Sequence, residues 1–225
     1  MPKRKASLDW DSDIYSKGRQ LNKWPFTDVV SQFHRFRAGW IGQKTPKVLE
    51  IGCGTGNNLS AIAGLGFEVW GIDQSPTAIE FGIREFQDSN RPLNLSVGKI
   101  QKLEFEDGYF DFVLDRGSIT QVAKDEVGVV VSEVYRVLAK GGVFASHTLF
   151  GENHPEKSLG KESEDGSYDD FTGGYFRTVG KTSFFSYADL RRVLHEFTRV
   201  SIGRRTEELN ENLVSEQYFF EAHKD

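Results

Sequence analysis

A short apolar run that contains one glutamate and is followed by three glycines forms a pattern that can hold a polar ligand. The run V-L-E-I at 48–51 is typical of a buried parallel strand and contains Glu50. Gly52, Gly54 and Gly56 follow at alternate positions, and the next residues predict the start of a helix. Glycines let the backbone approach a ligand closely, and a helix N-terminus presents free N–H groups. This stretch is therefore the first candidate for a binding site.

The spacing excludes the two common phosphate-binding loops. A P-loop requires Gly-Lys-Ser/Thr, which is absent here. The dinucleotide pattern G-x-G-x-x-G requires glycine at position 57, where the chain has Asn57. Glu50 would repel phosphate but suits a ligand with an amine or another cation. A nicotinamide dehydrogenase is accordingly disfavoured.

The pattern E-x-G-x-G-x-G at 50–56 resembles motif I of the class I S-adenosylmethionine (SAM) dependent methyltransferases. The resemblance covers about residues 46–150, where predicted strands and helices alternate as in a doubly wound α/β sheet. It implies a mostly parallel seven-stranded sheet with an antiparallel last strand, SAM as cofactor and S-adenosylhomocysteine (SAH) as product. Our candidate cofactor-binding residues are Tyr15, Glu50, Gly52, Cys53, Gly54, Gly56, Asn58, Asp73, Gln74, Ile100, Gln101 and Asp115.

Asp73 ends the second predicted strand, 67–73. Ligands of open α/β sheets bind outside the carboxyl ends of the strands, and a carboxylate there can accept hydrogen bonds from both hydroxyls of a ribose. The resemblance implies a ribose-binding acid at this place. The alternative role is that of a cap for the helix predicted to begin at Ser75.

Lys99 departs from the family pattern. Many of these enzymes hold the adenine amino group with an acid after the third strand, and lysine cannot accept that hydrogen bond. We therefore expect backbone groups at 99–101, or the Gln101 side chain, to recognise adenine.

Asp115 and Arg116 follow the fourth predicted strand, 109–114. Charged groups at the end of a buried strand need partners or a ligand. The resemblance implies a contact with the methionine amino group here, so Asp115 is a candidate for both cofactor and acceptor binding. An Asp115–Arg116 structural pair, or a cap of the following turn, is the alternative.

Two histidines are candidates for a general base, which an oxygen or nitrogen acceptor can require near neutral pH. His147 lies at the end of the fifth predicted strand, 143–149, and His154 lies in the loop that follows. With Asp115 they form our catalytic set. The alternatives are a sheet-end hydrogen bond for His147 and an exposed loop position for His154.

Two aromatic groups are candidates for closing the site. Trp10, Tyr15 and Trp24 lie in the N-terminal segment, and we expect Tyr15 to act as a lid residue, with simple docking on the sheet edge as the alternative. The stretch 171–176 has a glycine pair suited to a hinge or turn. Cys53 is expected to pack inside the glycine loop and not to act as a nucleophile.

The chain is expected to form one domain: an N-terminal lid segment and helix at 1–45, and a SAM-binding domain at 46–225 with a substrate-side insertion at 151–181. A charged loop is expected at 207–212. Predicted helices cover 25–40, 57–65, 75–88, 124–139 and 186–197; the remaining predicted strands are 93–97, 198–206 and 215–223.

Composition argues against several classes of ligand and partner. A net charge of -5 argues against a duplex nucleic acid, and the single cysteine excludes a disulfide framework or Cys-rich zinc site. No apolar run approaches 18 residues and no signal-peptide pattern is evident, so we expect a cytoplasmic protein without membrane contact. The basic tail 2–5 and the acidic run 162–170 are expected to be solvated, and no metal is predicted. Oligomeric state stays open, a homodimer included.

The expected function is methyl transfer from SAM to an oxygen or nitrogen of a small-molecule substrate, such as a metabolite, sugar or natural-product intermediate. The alternatives are an RNA or protein methyltransferase and an inactive partner subunit with the same fold. An Asn/Asp-Pro-Pro-aromatic motif, used for nucleobase amines, is absent after the fourth strand, where D-R-G-S stands at 115–118. The intact glycine loop and Asp73 count against an inactive subunit.

Overall fold

A seven-stranded sheet organises the chain in the computed structural model, which describes residues 8–39, 44–87 and 92–225. Its strand order is β3-β2-β1-β4-β5-β9-β8, with β1 to β5 parallel and β9 and β8 antiparallel. The predicted fold class is confirmed.

The strands are β1 (Lys47–Ile51), β2 (Glu68–Asp73), β3 (Asn94–Val97), β4 (Phe110–Arg116), β5 (Leu138–Phe150), β6 (Lys161–Glu162), β7 (Tyr168–Asp169), β8 (Arg199–Leu209) and β9 (Asn212–His223). The helices are α1 (Thr27–Gly39), α2 (Asn57–Gly64), α3 (Pro76–Glu85), α4 (Val127–Val137) and α5 (Tyr187–Val193).

Helices cover both faces of the sheet, which explains why most side chains of its central strands are apolar. Successive side chains of a strand point to opposite faces. On β4, Phe112 and Leu114 pack with residues of α1, α2 and α3, whereas Val113 packs with residues of α4 and α5. Both faces of β4 are therefore core, as parallel sheets require.

Helix α4 is shorter than the predicted 124–139. A 3₁₀ turn, Lys124–Glu126, precedes it, and the backbone is extended again at Leu138 (ψ 135°). Leu138 is fully buried and pairs with Phe110 of β4, so sheet pairing outweighs helix propensity at this point. Gly141 and Gly142 consequently lie within β5 and do not end the helix.

The C-terminal region also differs from its predicted bounds. Helix α5 ends at Val193, well before the predicted residue 197, although Ser186 caps it as expected. The predicted loop 207–212 is mostly strand, because β8 and β9 pair as far as Leu209 and Asn212. Only Asn210 and Glu211 form the turn, both with positive φ (51° and 64°), as in the two-residue turns that match strand twist.

The insertion (residues 151–181) is structured and has its own aromatic core. It contains β6, β7 and two 3₁₀ turns, Pro155–Leu159 and Phe176–Thr178. Phe171 and Phe176 pack with Phe150 and Phe184, and Trp10 of the N-terminal segment (residues 8–26) packs against this cluster. The insertion and the N-terminal segment therefore support each other.

Two predicted helix ends and the basic tail at 2–5 lie outside the described residues. Helix α1 is described to Gly39, so its expected end near Trp40 is not covered. Helix α3 ends at Glu85, before the expected end near Asp88, a residue that itself lies outside the described ranges. Among the residues that are described, no helix has both the length and the apolar character needed to cross a membrane.

Candidate active site

A cavity of about 660 Å³ lies at the carboxyl ends of the five parallel strands. Its volume is within the range typical of sites for small ligands. The loops after β1, β2, β3 and β4 form its floor, the end of β5 forms one wall, and the N-terminal segment and the insertion cover it. Among its lining residues are ten of the twelve candidate cofactor-binding residues: Tyr15, Glu50, Gly52, Cys53, Gly54, Asn58, Asp73, Gln74, Ile100 and Gln101.

The glycine loop requires glycine at two lining positions. Gly52 has φ 61°, and a Cβ there would overlap the Ser118 side chain after β4. Gly54 has φ 54°, and a Cβ there would lie 3.0 Å from the Tyr15 hydroxyl. Gly56 also has positive φ but does not line the cavity; it precedes α2 and packs near Leu95. The loop therefore has no room for side chains at the two lining glycines.

Asp73 is bonded to the glycine loop. Its Oδ2 accepts a hydrogen bond from the Gly54 N–H at 2.9 Å, and its Oδ1 accepts one from the Ser75 N–H at 2.8 Å. Burial raises the pKa of the Asp73 carboxyl, while these two hydrogen bonds act in the opposite direction. Each oxygen keeps a further lone pair for a ligand. The carboxylate lines the cavity in the position predicted for a ribose acceptor.

Glu50 carries a buried oxygen without a partner. Its Oε1 accepts a 2.7 Å hydrogen bond from Asn58 Nδ2, but its Oε2 has no hydrogen-bond partner among the described residues. Burial raises the pKa of Glu50 to about 8, with Asp115 and Asp73 adding to the rise. A buried polar atom without a partner is costly, so an amine-bearing ligand would be stabilised at this point.

Arg116 is the second side chain with a buried, unpartnered atom. Its Nε makes no hydrogen bond within the described part of the chain, and the nearby Oδ1 of Asp28 is 4.0 Å away. The guanidinium lies 3.3 Å from the ring centroid of Phe26 in a cation–π contact. Burial lowers the pKa of Arg116, with Asp28 and Glu50 opposing the shift. The alternative of an Asp115–Arg116 structural pair is therefore not found, and Arg116 lies near Asp28 instead.

The N-terminal segment is fixed across the cavity. Asp11 accepts hydrogen bonds from the Ser75 hydroxyl and, at 3.0 Å, from the Thr77 N–H at the start of α3. These bonds lower the pKa of Asp11. Tyr15 is buried beside Gly54, and burial raises the pKa of its phenol well above the ordinary value. Trp24, expected to help to close the site, is 82% exposed and does not line the cavity.

The loop after β3 lines the end of the cavity where adenine is expected. Lys99 is exposed there, while Ile100 is buried and offers an apolar surface. The Gln101 Nε2 donates a 3.0 Å hydrogen bond to Glu126. The amide oxygen of Gln101 is thus the side-chain acceptor that the loop offers, because Lys99 has none.

Asp115 has a different place from the one expected. Its side chain is fully buried and does not line the cavity. Oδ1 accepts hydrogen bonds from the Ser118 hydroxyl, the Ser118 N–H at 3.0 Å and the Ile119 N–H at 3.1 Å, and Oδ2 accepts one from Ser146 Oγ at 2.7 Å. Burial nonetheless raises the pKa of the carboxyl. A carboxylate with four donors fixes the turn after β4, so its side chain is not placed to touch cofactor or acceptor.

Neither candidate histidine lines the cavity. His147 Nε2 is 2.8 Å from Gln32 Oε1, and its Nδ1 is 3.7 Å from Asp28 Oδ2. It faces a neighbouring cavity between α1 and the β8–β9 hairpin. His154 packs among the aromatic rings of the insertion, and its Nδ1 accepts a 3.3 Å hydrogen bond from the Glu156 N–H. Burial lowers the pKa of both imidazoles.

Sequence patterns gave no signal for Thr148 of the cavity wall. Thr148 lines the cavity with φ 65°, a strained conformation for a β-branched residue, at an irregularity in the β5–β9 pairing. Tyr175 of the stretch 171–176, a candidate for closing the site, also lines the wall, whereas Phe171 and Phe176 of that stretch are buried in the aromatic cluster. Nothing in the sequence indicates a bulge at Thr148.

The described residues hold no group of three or more histidine, cysteine, aspartate or glutamate side chains arranged as metal ligands would be.

Comparison with known proteins agrees with this geometry. Residues 48–142 match a family model described as a methyltransferase domain. The chain is 28% identical over 168 residues to an eEF1A lysine and N-terminal methyltransferase of Mus musculus, covering 70% of this chain and 23% of the relative. It is 31% identical over 112 residues to a sterol 4-C-methyltransferase of Caenorhabditis elegans, covering 48% of this chain and 33% of the relative. The chain thus spans about a quarter of the mammalian relatives that it matches.

Solved structures show the same fold. A SAM-dependent methyltransferase of Methanosarcina mazei superposes with a TM-score of 0.70 at 20% identity, covering 89% of this chain and 98% of that chain. The residues of the cavity also fit the cofactor of that family: Asp73 can accept from ribose, and the unpartnered oxygen of Glu50 can accept from an ammonium group. The fold is thus that of the class I SAM-dependent methyltransferases, and residues 48–142 match a methyltransferase domain.

Proposed function

We propose that the protein transfers a methyl group from SAM to an oxygen or nitrogen atom of a small-molecule acceptor. The observation that carries this proposal is the double roof over the cavity, formed by the N-terminal segment and the insertion. A roofed site admits a compact molecule more readily than the surface of a folded protein.

Hydrogen bonds join the two parts of the roof to each other and to the floor. Arg19 Nη2 donates to the Thr178 carbonyl of the insertion at 3.0 Å, and Trp10 Nε1 donates to Gln121 Oε1 at 3.3 Å. Lys181 and Asp165 of the insertion, which form a 2.6 Å ion pair, line the far end of the cavity. The space for an acceptor is therefore bounded on several sides by fixed side chains.

Four side chains are assigned to the cofactor. Asp73 accepts from the ribose hydroxyls, and Glu50, once ionised, accepts from the methionine ammonium. Ile100 packs on the adenine ring, and the amide oxygen of Gln101 accepts from the adenine amino group. The donor and acceptor types of these groups match the proposed partners.

The protein contributes to methyl transfer mainly by positioning SAM and the acceptor. SAM supplies the methyl group on a sulfonium, a reactive centre that needs an acceptor in line. Orientation of two bound reactants can account for most of the acceleration of such a displacement. Within the described residues no histidine lines the cavity, so we propose an acceptor atom that is already nucleophilic near neutral pH or shares its proton with a lining carboxylate.

A protein amine is the second candidate acceptor. The eEF1A lysine and N-terminal methyltransferases match 70–72% of this chain, which favours a lysine side chain or chain terminus as the substrate. An extended lysine side chain is narrow enough to enter a roofed cavity from its mouth. Experiment must distinguish this acceptor from a free small molecule.

Calorimetric titration with SAM, SAH and NAD tests the cofactor assignment first. We expect both adenosyl ligands to bind and NAD to give no heat. Incubation with methyl-labelled SAM and a cell extract split into small-molecule and protein fractions then tests the acceptor. Label in the small-molecule fraction is the expected result, whereas label confined to protein would favour the second candidate, and no label in either fraction would contradict methyl transfer.

A further inference from the structure

We propose that Arg116 binds an anionic group, a carboxylate or a phosphate, of the acceptor. This inference rests on the proposed function and names the substrate class of the same site. The guanidinium is a rigid fork of N–H donors whose geometry matches these two anions.

The first observation is one buried atom of the guanidinium that has no partner. Arg116 Nε is buried and has no hydrogen-bond partner in the described ranges. The Asp28 carboxylate is near, but its 4.0 Å separation from Nε exceeds a hydrogen bond, and its Oδ1 already accepts a 2.9 Å bond from the Val29 N–H. Buried donors in native proteins are nearly always bonded, so a ligand atom is expected at this place.

The second observation is that the guanidinium is held in position. Its carbon lies 3.3 Å from the centroid of the Phe26 ring, and the Phe26 backbone is fixed because its N–H donates to Asn58 Oδ1 at 3.0 Å. Stacking of this kind restricts a flexible side chain before a ligand arrives. Arg116 is therefore preorganised for binding.

The third observation is location. Arg116 and Phe26 line both the cofactor cavity and a neighbouring cavity of about 840 Å³, so they lie where the two meet. Tyr175 of the insertion also lines the cofactor cavity and lies within electrostatic range of Arg116. Arg116 ends β4, two strands along the sheet from β2, which ends at Asp73. The guanidinium therefore faces an acceptor and not the adenosine.

Charge complementarity supports an anion over a neutral group. Lys181, a lining cation of the insertion, is neutralised by Asp165 at 2.6 Å, and Lys99 lies at the end assigned to adenine, whereas the contact of Arg116 with Asp28 is long. A charge-assisted, two-pronged hydrogen bond from Arg116 would satisfy Nε and orient the acceptor. Arg116 would then determine which small molecules are accepted.

Calorimetry with paired probes tests the inference. The SAH-saturated protein is titrated with inorganic phosphate and with two pairs that differ by one anionic group, phosphoethanolamine against ethanolamine and 3-hydroxybenzoate against phenol. We expect the anionic members to bind at least about tenfold more tightly. Arg116→Gln should remove this preference and Arg116→Lys should keep part of it, while affinity for SAH changes less than about twofold.

Arg205→Gln is the matched control, because Arg205 is exposed and lines the neighbouring cavity but not the cofactor cavity. It should leave the preference for anions unchanged. Melting temperatures show whether each variant is folded, and Arg116→Lys remains informative if Arg116→Gln is not.

Two results would overturn the inference: equal affinity for charged and neutral probes, or a loss of SAH affinity in Arg116→Gln, which would place the guanidinium on the cofactor carboxylate. Failure of the proposed function has a different signature, because the wild type would then bind no SAH or would label protein only. Phosphate titration of the unliganded protein, wild type against Arg116→Gln, tests anion binding in that case too.

Discussion

The backbone N–H of Gly54 donates a 2.9 Å hydrogen bond to the carboxylate of Asp73. This contact joins the loop after β1 to the end of β2, and so connects two parts of the proposed cofactor site. The bond also places one Asp73 oxygen at a fixed distance from the glycine loop. A change at Asp73 therefore affects both ligand binding and the shape of the loop.

Asp73→Asn should weaken SAH binding by about tenfold to a hundredfold, since one or two hydrogen bonds of roughly 1–3 kcal/mol each are lost or reversed in polarity. Calorimetry gives this value directly. Asp73→Ala should cost more, and it should also lower the melting temperature because the Gly54 and Ser75 N–H groups lose their acceptor. Unchanged affinity in both variants would contradict the ribose assignment.

Glu50 should make the stability of the unliganded protein depend on pH. Its pKa is raised from an ordinary 4.5 to about 8, so between these values the folded state binds more protons than the unfolded state. The free energy of unfolding should then fall as pH rises from 5 to 8, by at most about 1.4 kcal/mol per unit. Chemical denaturation at pH 5, 6, 7 and 8 measures this contribution as the difference between wild type and Glu50→Gln.

Glu50→Gln is a close mimic of the protonated residue, and its amide oxygen can still accept from Asn58. The difference isolates Glu50 from His147 and His154, whose lowered pKa values act in the opposite direction. SAM affinity of the wild type should rise toward pH 8, because an ammonium needs the ionised carboxylate, and the variant should bind SAM about tenfold less well. Parallel pH curves for the two proteins would refute the raised pKa.

Gly82 of α3 provides a packing test away from the ligand. A Cβ at Gly82 would overlap the carbonyl oxygen of Thr55 in the glycine loop. Gly82→Ala should therefore destabilise the protein by about 1–3 kcal/mol and weaken SAH binding through the displaced loop. Gly128→Ala in α4 is the matched control, because a Cβ added there would meet no atom of the described residues within 4 Å. Alanine has a higher helix propensity than glycine, so the free energy of unfolding should stay unchanged or rise by up to about 1 kcal/mol. Equal effects at the two sites would show that α3 can shift freely.

The sequence was sufficient for the sheet and the floor of the site, because both follow from local patterns. Asp73 and the glycines stand at strand ends, where chain order alone determines their position. Chain order does not determine the roles of Asp115 and Arg116. Adjacent residues of a strand point to opposite faces, and here Asp115 is buried with Ser146 whereas Arg116 contacts Phe26. Such partners come from distant parts of the chain.

The roof was harder to predict for the same reason. The sequence predicts Tyr15 as a lid residue because it is aromatic and lies in the N-terminal segment. The same reasoning applies to Trp24, which is exposed. The strained backbone at Thr148 has no local signal either, since it arises from pairing between β5 and β9. Tertiary contacts decide these positions.

Tyr15 offers a separate test of the lid. Tyr15→Ala removes a buried ring beside Gly54 and should speed SAH dissociation at least about tenfold, with little change in its association rate. Tyr15→Phe keeps the ring and should stay within about threefold of the wild type if packing, and not the hydroxyl, retains the ligand. Stopped-flow displacement of SAH measures both rates. Identical dissociation in all three proteins would assign Tyr15 to docking alone.

His147 provides the clearest test of whether catalysis depends on a histidine base. Its Nε2 is engaged with Gln32 at 2.8 Å, Gln32 Nε2 in turn donates to Glu221 at 2.8 Å, and the imidazole faces the neighbouring cavity. His147→Gln should therefore keep kcat within about threefold of the wild type while lowering the melting temperature, because a buried hydrogen bond is lost. The pH–rate profile should keep its shape. A fall of kcat by two orders of magnitude with SAH binding intact would instead identify His147 as a base that reaches the acceptor when it binds.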